Sequence, residues 1–497
     1  MSEPSGYRNI FLNNCALLFL VVAVSLTALD AEMFIDTDPL WHVAVGDLIR
    51  TTHAIPEHYP WSFTAGDYHW RNIAWLWDIL FSAIHEQLGW HGAVGINAII
   101  IALMSVLVYA NCVLRSGDFG AAYLSVLGMF TLFSCNLRPL QVSNLMVALW
   151  MLLLGSIARG QIRSAWLAVL PVLMLIWVNM HGGFLTGYIL VGAFFLQALH
   201  DRKIALARNL FITGVTLMAI TFCNPNGLHV FEMVWQVMSS SSNRFTQEWQ
   251  PLTTNPYTLI YHAYLIIFFL TVIKRTLPIL LVERWLAYIW LLFSLTSLRH
   301  ESMFAIVSAP VFACALRQWF SPGKPAPVVV RIMGAWCQCF SRNSTLVVMV
   351  FLCLGVIIWL PARTGDNSYY QELSHENELD TEINFIQAHY AKARLITTYG
   401  LSGILLYKTR GAIPVFIDPC IVTAIPAQVM NDYSCFLVDC TDWQAILDRY
   451  AIDGVMLANK GNNELYDRFV NRKGWNQVFK GPTATIFMRQ PKYSKLL

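Results

Sequence analysis

Two carboxylates with one residue between them, Asp36 and Asp38, stand where the first apolar segment of the chain ends. At this spacing they can share a divalent cation such as Mg²⁺ or Mn²⁺, or one can act as a general base beside its charged neighbour. An acidic helix end solvated at a membrane surface gives the same D-x-D pattern, but the following Trp41 and His42 favour the chemical interpretation. Asp36 and Asp38 are therefore the candidate catalytic residues and candidate metal ligands. The choice of base between them stays open.

The segment 36–78 as a whole is polar and rich in tryptophan, although apolar sequence flanks it on both sides. Ionisable residues in such a membrane-type sequence indicate a functional site. Tryptophan rings can stack on sugars or lie among lipid headgroups, and interfacial belts account for most tryptophans of membrane proteins. The candidate substrate contacts in this segment are His42, His58, His69, Trp70 and Asp78.

Polar residues also recur at one end of several later apolar segments. Arginine is suited to binding phosphate through two parallel hydrogen bonds, which makes Arg138 and Arg299 candidates for that role. Pairing of these arginines with Glu248, with Glu301 or with the aspartates is the alternative, and the sequence leaves both open. Further candidate substrate contacts of this set are Gln141, Asn179, His181, Glu248, Trp249 and His300.

The elements that must position these residues are membrane helices. The chain has 497 residues, of which 56% are hydrophobic and only 13% charged, whereas soluble domains have about 25% charged residues. We predict a mainly α fold, a polytopic transmembrane helical bundle of about 11 spans, several near the lower limit of about 17 residues. The net charge of +3, with no basic tract, gives no indication of nucleic acid binding. Membrane lipids are the expected surroundings.

The distribution of Lys and Arg predicts the orientation of the bundle. One alternating set of loops carries most of these residues and is placed in the cytoplasm together with the N-terminus. The other set includes the segment 36–78 and the C-terminal part, where the composition becomes soluble and short strands alternate with helices. The predicted domains are a transmembrane domain at 1–361, with a first outer loop at 30–92, and an extracytoplasmic α/β domain at 362–497. Cys435 and Cys440 can form a disulfide in that compartment.

The sequence DTDPLWHVAVGDLIRTTHAIPEHYPWSFTAGDYHW resembles the first outer loop of a group of bacterial multispan proteins that are similar to the GT-C superfamily of membrane glycosyltransferases. The resemblance continues through LRPLQVSNLM, WVNMHGGFLTG, CNPNG, EWQP and LRHESMFAIVSAP. It extends into the C-terminal part through IPVFIDPC and DWQAILDRYAIDGVML. The chain departs from the pattern at three places: Tyr59-Pro60-Trp61 replaces Asp-Pro-Phe, Asp78 stands where Glu is common, and Asp418-Pro419-Cys420 replaces Asp-Gly-Arg.

The resemblance implies a GT-C glycosyltransferase, a hexosyl- or pentosyltransferase of the bacterial inner membrane. Its donor would be a polyprenyl-phosphate-linked sugar, and its acceptor a cell-surface glycan, a lipid or a protein on the extracytoplasmic, periplasmic side. It further implies that Asp36 or Asp38 is the general base or the carboxylate on the metal side. Arg138 and Arg299 would bind the lipid phosphate.

The competing interpretation is a transporter or a flippase for lipid-linked sugars. Such a protein is expected to carry polar residues at mid-membrane depth and broken helices in two related halves. In this chain the polar residues cluster at the ends of apolar segments, and the sequence has no internal repeat. A non-catalytic scaffold that displays the C-terminal domain is a third interpretation, and it leaves the acids of the segment 36–78 unexplained.

Overall fold

The computed structural model describes residues 5–28, 37–65, 68–240, 243, 247–251, 277–320, 378–419, 425–438, 443–459, 463–470 and 472–490. Several sequence predictions lie outside the described residues: Asp36, the predicted spans centred near 257–273 and 345–361, the predicted domain boundary at 361, and Cys440.

The described chain up to residue 320 is a bundle of α-helices. These helices are α1 (Ser5–Ala28), α2 (Asp38–Thr52), α3 (Trp75–Ser116), α4 (Phe119–Phe130), α5 (Leu140–Ala158), α6 (Val169–Met180), α7 (Leu185–His200), α8 (Ile204–Thr221), α9 (His229–Ser239), α10 (Leu281–Thr296) and α11 (Glu301–Phe320). Short 3₁₀ helices lie at Ser164–Ala168, Gly182–Phe184, Gln247–Trp249 and Leu298–His300.

Six helices of the described chain are long and apolar enough to cross a membrane. They are Arg8–Thr27, Trp75–Ser116, Leu140–Ala158, Gly182–His200, Ile204–Thr221 and Leu298–Trp319, and shorter apolar helices lie at Phe119–Phe130 and Ser164–Met180. The prediction of a mainly α, multi-pass membrane bundle is confirmed. The predicted number of spans is not tested, because two of them fall outside the described residues.

Helix α3 consists of two segments that meet at Gly89. A straight helix of its 42 residues would be about 63 Å long, roughly twice the thickness of a bilayer core. Gly89 has φ 60° and ψ −160°, a backbone conformation that interrupts the helix and that residues with a Cβ rarely adopt. The first segment ends at Leu88, and the second is long enough to span a membrane.

Helix α2 packs closely against the first segment of α3. A Cβ on Gly46 would lie only 2.0 Å from the backbone oxygen of Asp78, so the two helices approach to backbone contact. Pro39 fits the first turn of α2, where a missing backbone N–H costs no helical hydrogen bond. The close approach brings side chains of α2 to the start of α3.

The C-terminal part is a small α/β unit. Its sheet has the order β1-β2-β4-β3, with β1 parallel to β2 and the other neighbours antiparallel. The strands are β1 (Leu395–Thr397), β2 (Gly454–Ala458), β3 (Trp475–Lys480) and β4 (Ala484–Arg489). The helices are α12 (Asp380–His389), α13 (Tyr399–Thr409), α14 (Ala427–Val438), α15 (Trp443–Arg449) and α16 (Asn463–Val470). The predicted α/β character is confirmed, and Cys435 is disulfide-bonded.

The sequence IPVFI at 413–417 predicts a strand, and this prediction is wrong, because no regular strand forms there. Val415 makes only isolated bridges, one to Leu395 and one to Ser62. Pro414 precedes it and has no backbone N–H, which limits its use in a continuous ladder.

The segment 36–78 docks onto this C-terminal unit. The Val415 N–H donates to the Trp61 carbonyl at 2.9 Å, and the Ser62 hydroxyl donates to the Phe416 carbonyl at 2.9 Å. The Tyr59 hydroxyl donates to the buried carboxylate of Asp418. Tyr59 and Asp418 belong to two motifs of the sequence resemblance. Their contact shows that these two motifs lie together.

We expect Gly46→Ala to destabilise the protein, since its Cβ would overlap the backbone of α3. Overpacking of this kind costs about 1–3 kcal/mol or more. Gly95→Ala is the matched control, because Gly95 lies in helix α3 and a Cβ added there would meet nothing within 4 Å. Thermal unfolding in detergent, followed by tryptophan fluorescence, compares the two. Equal unfolding temperatures for both variants would contradict the observed helix contact.

Candidate functional site

Four charged side chains form a continuous chain of ion pairs, which we call the charge cluster: Asp38, Arg138, Glu248 and Arg299. Arg138 Nη2 lies 2.9 Å from Asp38 Oδ2, and its Nη1 lies 2.6 Å from Glu248 Oε2. Arg299 Nη1 lies 2.7 Å from the other oxygen of Glu248. The pairing that the sequence left open as an alternative is therefore present. The structure brings together residues that are far apart in the chain.

Four separate elements hold the charge cluster in place. Asp38 begins α2, and Arg138 lies immediately before α5. Glu248 and Arg299 lie on short 3₁₀ helices that are tied together by the Ser297 hydroxyl, which donates to the Glu248 carbonyl at 2.9 Å. The Arg299 guanidinium also stacks over the ring of Trp249, 4.8 Å from its centroid, a cation–π contact. Trp249 and Arg299 thus form one unit.

Glu248 is the electrostatic centre of the cluster. Burial raises the pKa of its carboxyl, but Arg299 and Arg138 outweigh burial and hold the pKa below its ordinary value of 4.5. Two guanidinium groups held beside one carboxylate would repel each other without it. Glu248 is therefore ionised at neutral pH and keeps both arginines in one place.

His181 is a neutral imidazole whose hydrogen bonds fix its orientation. Its Nδ1 accepts a hydrogen bond from the Gly183 N–H at 3.1 Å and faces the Ser143 hydroxyl at 2.7 Å, which in turn accepts from Trp177 Nε1 at 2.7 Å. Burial is the main cause that lowers the pKa of His181 to about 3, and the charges of Arg299 and His42 contribute to the same shift. Because Nδ1 accepts, Nε2 carries the proton. His181 can therefore donate a hydrogen bond without being a strong acid.

His42 and Asp78 form a buried pair. His42 Nδ1 lies 2.6 Å from Asp78 Oδ1, and Asn72 Nδ2 donates to Asp78 Oδ2 at 2.5 Å. Both His42 and Asp38 lie on α2, one turn apart, so they occupy the same face. The predicted substrate contacts His42, Asp78 and His181 thus lie near the charge cluster.

Other predicted contacts support the backbone around the site. Asn179 accepts from Trp75 Nε1 at 2.9 Å and donates to the carbonyls of Leu175 and Cys223. Gln141 donates to the Ser134 carbonyl at 2.7 Å and fixes the turn that carries Arg138. The roles of Asn179 and Gln141 as substrate contacts stay predictions.

The remaining predicted contacts lie elsewhere. Trp70 is 1% exposed and packs edge-on against Tyr59 and Trp41. His58 and His69 are exposed and face each other across an isolated bridge, with ring centroids 5.8 Å apart. His300 packs against Trp290 and Phe293. Their roles as substrate contacts stay predictions.

The described residues do not form a divalent cation site. A cation such as Mg²⁺ needs several oxygen ligands, and no three His, Cys, Asp or Glu side chains converge within the described part of the chain. Asp38 is already occupied by the Arg138 guanidinium. Asp36, the other predicted ligand, lies outside the described residues, so the prediction of a metal at this pair stays a prediction.

A second group of ion pairs lies at the other end of the bundle. Glu283 on α10 bridges Arg115, at 2.8 Å, and Arg159, at 2.5 Å. Arg159 follows the last residue of α5, whereas Arg138 precedes its first. The two groups are therefore separated by the length of α5, about 28 Å.

Sequence reasoning missed Asn72, Ser143 and Trp177 as parts of the site. Each acts by fixing a neighbour: Asn72 holds Asp78, and Ser143 with Trp177 fixes the His181 ring. The only sequence signal for Ser143 is a polar residue within an apolar segment. This signal is weak, because many membrane helices contain a serine.

The fold is similar to that of a solved oligosaccharyltransferase, in agreement with the fold that the sequence resemblance implies. The chain matches the crystal structure of the Archaeoglobus fulgidus oligosaccharyltransferase tethered to an acceptor peptide containing the NVT sequon, with a TM-score of 0.53 and 12% identity, over 95% of this chain and 74% of that one. The apo form of that enzyme matches with a TM-score of 0.50 and 12% identity, over 88% and 69%.

ArnT from Cupriavidus metallidurans, bound to undecaprenyl phosphate, matches over 98% of both chains with 13% identity and a TM-score of 0.48. No protein-family model and no curated protein matches the sequence. At these identities the likeness is one of fold, so the chemistry must be argued from the site.

We expect Glu248→Gln to lower the stability of the folded protein by about 2–3 kcal/mol at pH 7, somewhat less than for a fully buried ion pair. The reason is that both arginines lose their carboxylate partner. Because the pKa of Glu248 is depressed in the folded state, its contribution is present above pH 4.5 and is lost as the pH falls through the folded pKa. The difference in unfolding temperature should therefore shrink at acidic pH.

Thermal unfolding in detergent at pH 7 and at more acidic pH measures this difference. Glu464→Gln is the control, because Glu464 is exposed on α16. A difference that stays constant at both pH values would show that Glu248 does not act through its charge.

Proposed function

We propose that this protein is a membrane glycosyltransferase that transfers a sugar from a polyprenyl-phosphate-linked donor to an acceptor on the extracytoplasmic face. The charge cluster is the observation that carries the proposal, because it collects two arginines and two acids beside two histidines. The GT-C fold and the match to an oligosaccharyltransferase support it at the level of fold.

Arg138 and Arg299 are the proposed phosphate-binding residues. Arginine binds phosphate oxygens through several fixed N–H donors. Glu248 holds both guanidinium groups in one place, so a lipid phosphate that enters there meets two positive charges. Negative charge develops on the phosphate as the sugar leaves, and preorganised donors stabilise that charge in the transition state. The neutral Nε2–H of His181 is a further donor of this kind.

The acidic pair Asp36 and Asp38 is proposed to bind and orient the acceptor hydroxyl. Asp38 lies at the start of α2, where it is paired with Arg138 and is therefore adjacent to the phosphate-binding residues. In an inverting transfer the acceptor attacks the sugar from the side opposite to the phosphate. Asp38 is paired with Arg138, so its carboxylate can bind an acceptor hydroxyl next to the proposed phosphate site. The extracytoplasmic placement of this face follows the distribution of Lys and Arg.

The transporter interpretation has less support. The fold neighbour with the higher TM-score is an oligosaccharyltransferase, and the charge cluster lies at the ends of α2, α5 and α11 in the described chain. A transport site is instead expected at mid-membrane depth between broken helices.

We expect Asp38→Asn and Arg299→Gln each to lower the transfer rate by about 10²–10³, because Asp38 orients the acceptor hydroxyl and Arg299 stabilises the charge on the leaving phosphate. Purified protein in liposomes is incubated with labelled undecaprenyl-phosphate-linked hexoses and pentoses and with extracted envelope acceptors. Release of undecaprenyl phosphate and transfer of label are measured.

Glu57→Gln is the control for these variants, since Glu57 is exposed in the same polar segment. If the wild-type protein moves intact lipid-linked sugar across the liposome membrane without releasing the lipid phosphate, the transporter interpretation replaces this one. Full activity of folded Asp38→Asn and Arg299→Gln variants would refute the assigned roles.

A further inference from the structure

We propose that His42, oriented by Asp78, is the group that takes the proton from the acceptor hydroxyl. The inference rests on the proposed glycosyl transfer and assigns its base to a residue pair that the sequence did not connect. Such a pair, a buried carboxylate that orients an imidazole toward a reacting hydroxyl, is an arrangement by which enzymes activate nucleophiles.

The hydrogen bonds around Asp78 define which group holds each proton. The Asn72 side-chain oxygen accepts from the Ala74 N–H at 2.8 Å, so the amide of Asn72 must present its NH₂ to Asp78. Asp78 therefore acts as an acceptor at Oδ2. It lies in the first turn of α3, where the helix dipole favours a negative charge.

The proposal takes Asp78 as ionised. Its Oδ1 then accepts from Nδ1, which places the proton of the neutral His42 ring on Nδ1 and the lone pair on Nε2. Asp78 is 0% exposed, so water does not compete for this bond. Within the described residues, His42 Nε2 makes no hydrogen bond.

Asp38 is less suited to take the proton. Its carboxylate is bound to the Arg138 guanidinium at 2.9 Å, and a carboxylate next to a positive charge is a weaker base. Imidazole in general titrates near pH 6.5, which suits proton transfer at neutral pH. One turn of α2 separates the two residues, so an acceptor held by Asp38 lies within reach of His42.

His42 also borders the phosphate-binding residues. Its charge contributes to lowering the pKa of His181, as does the charge of Arg299, so the three groups share one region. The groups that face His42 from neighbouring elements are Asp78 on α3 and His181 before α7. On α13, which also packs against α2, Lys408 is paired with Asp380.

In the proposed step the acceptor oxygen attacks the anomeric carbon of the sugar, while its proton moves to His42 Nε2. The bond from the anomeric carbon to the phosphate oxygen breaks, and its electron pair stays on the phosphate, which Arg138, Arg299 and His181 stabilise. Asp78 stabilises the imidazolium that results. The proton later returns to water.

The test compares His42→Gln with the wild type and with His389→Gln, a matched exposed histidine of the C-terminal unit. Gln keeps a similar size and polarity but takes up no proton. We expect kcat to fall by about 10²–10⁴ with little change in KM for the lipid-linked donor. Asp78→Asn should lower kcat as well, because the amide no longer fixes the Nδ1–H tautomer. His389→Gln should behave like the wild type.

The pH profile of the wild-type kcat tests the inference even where a variant fails to fold. We expect kcat to fall on acidification, because a protonated imidazole cannot take the proton of the acceptor hydroxyl. His181 does not account for such a fall, since its pKa is about 3. A folded His42→Gln variant with the wild-type kcat, or a wild-type kcat that is flat from pH 5 to 8, overturns this inference and leaves the glycosyltransferase intact. A wild-type protein that transfers no sugar overturns the proposed function itself.

Discussion

The ion pairs of Glu248 with Arg138 and Arg299 are the interaction on which the site depends. Two guanidinium groups are stable side by side only while a carboxylate lies between them, and Asp38 extends the alternation of charge to α2. The four formal charges cancel, and the attraction between them offsets part of the cost of removing them from water at the end of an apolar bundle. A bound phosphate would take over part of the role of the carboxylates as partner of the two arginines. The site can therefore be stable when empty and still bind an anionic ligand.

The C-terminal unit supports the same site from the other side. The segment that carries Tyr59 and Trp61 is joined to the unit by backbone hydrogen bonds at Val415, and Tyr59 satisfies the buried Asp418. Because α2 precedes this segment and α3 follows it, the attachment restrains both helices that carry the His42–Asp78 pair. The C-terminal unit therefore helps to position the site. Tyr59, which stands where the resembled pattern has Asp, is the hydrogen-bond partner of Asp418, which the chain shares with that pattern.

Much of this architecture follows from sequence patterns, and the exceptions have physical reasons. Apolar segments predict the helices, because a segment in lipid must satisfy its backbone N–H and C=O groups by hydrogen bonds within itself. The pairing of Arg138 with Glu248 is one of the alternatives that the sequence leaves open, but its geometry depends on a 3₁₀ helix far along the chain. The His42–Asp78 pair is separated by 36 residues and depends on the close approach at Gly46, which no local pattern reveals. Val415 bridges two partners instead of forming a strand, because tertiary docking overrides its local propensity.

The central claim is that a lipid phosphate binds at the charge cluster, beside His42 and His181. A structure determined by electron cryomicroscopy with undecaprenyl phosphate bound tests it most directly. The account predicts phosphate density within hydrogen-bonding distance of Arg138 and Arg299, on the side of His181. Phosphate bound instead at the opposite end of the bundle, beside Arg115 and Arg159, would contradict it.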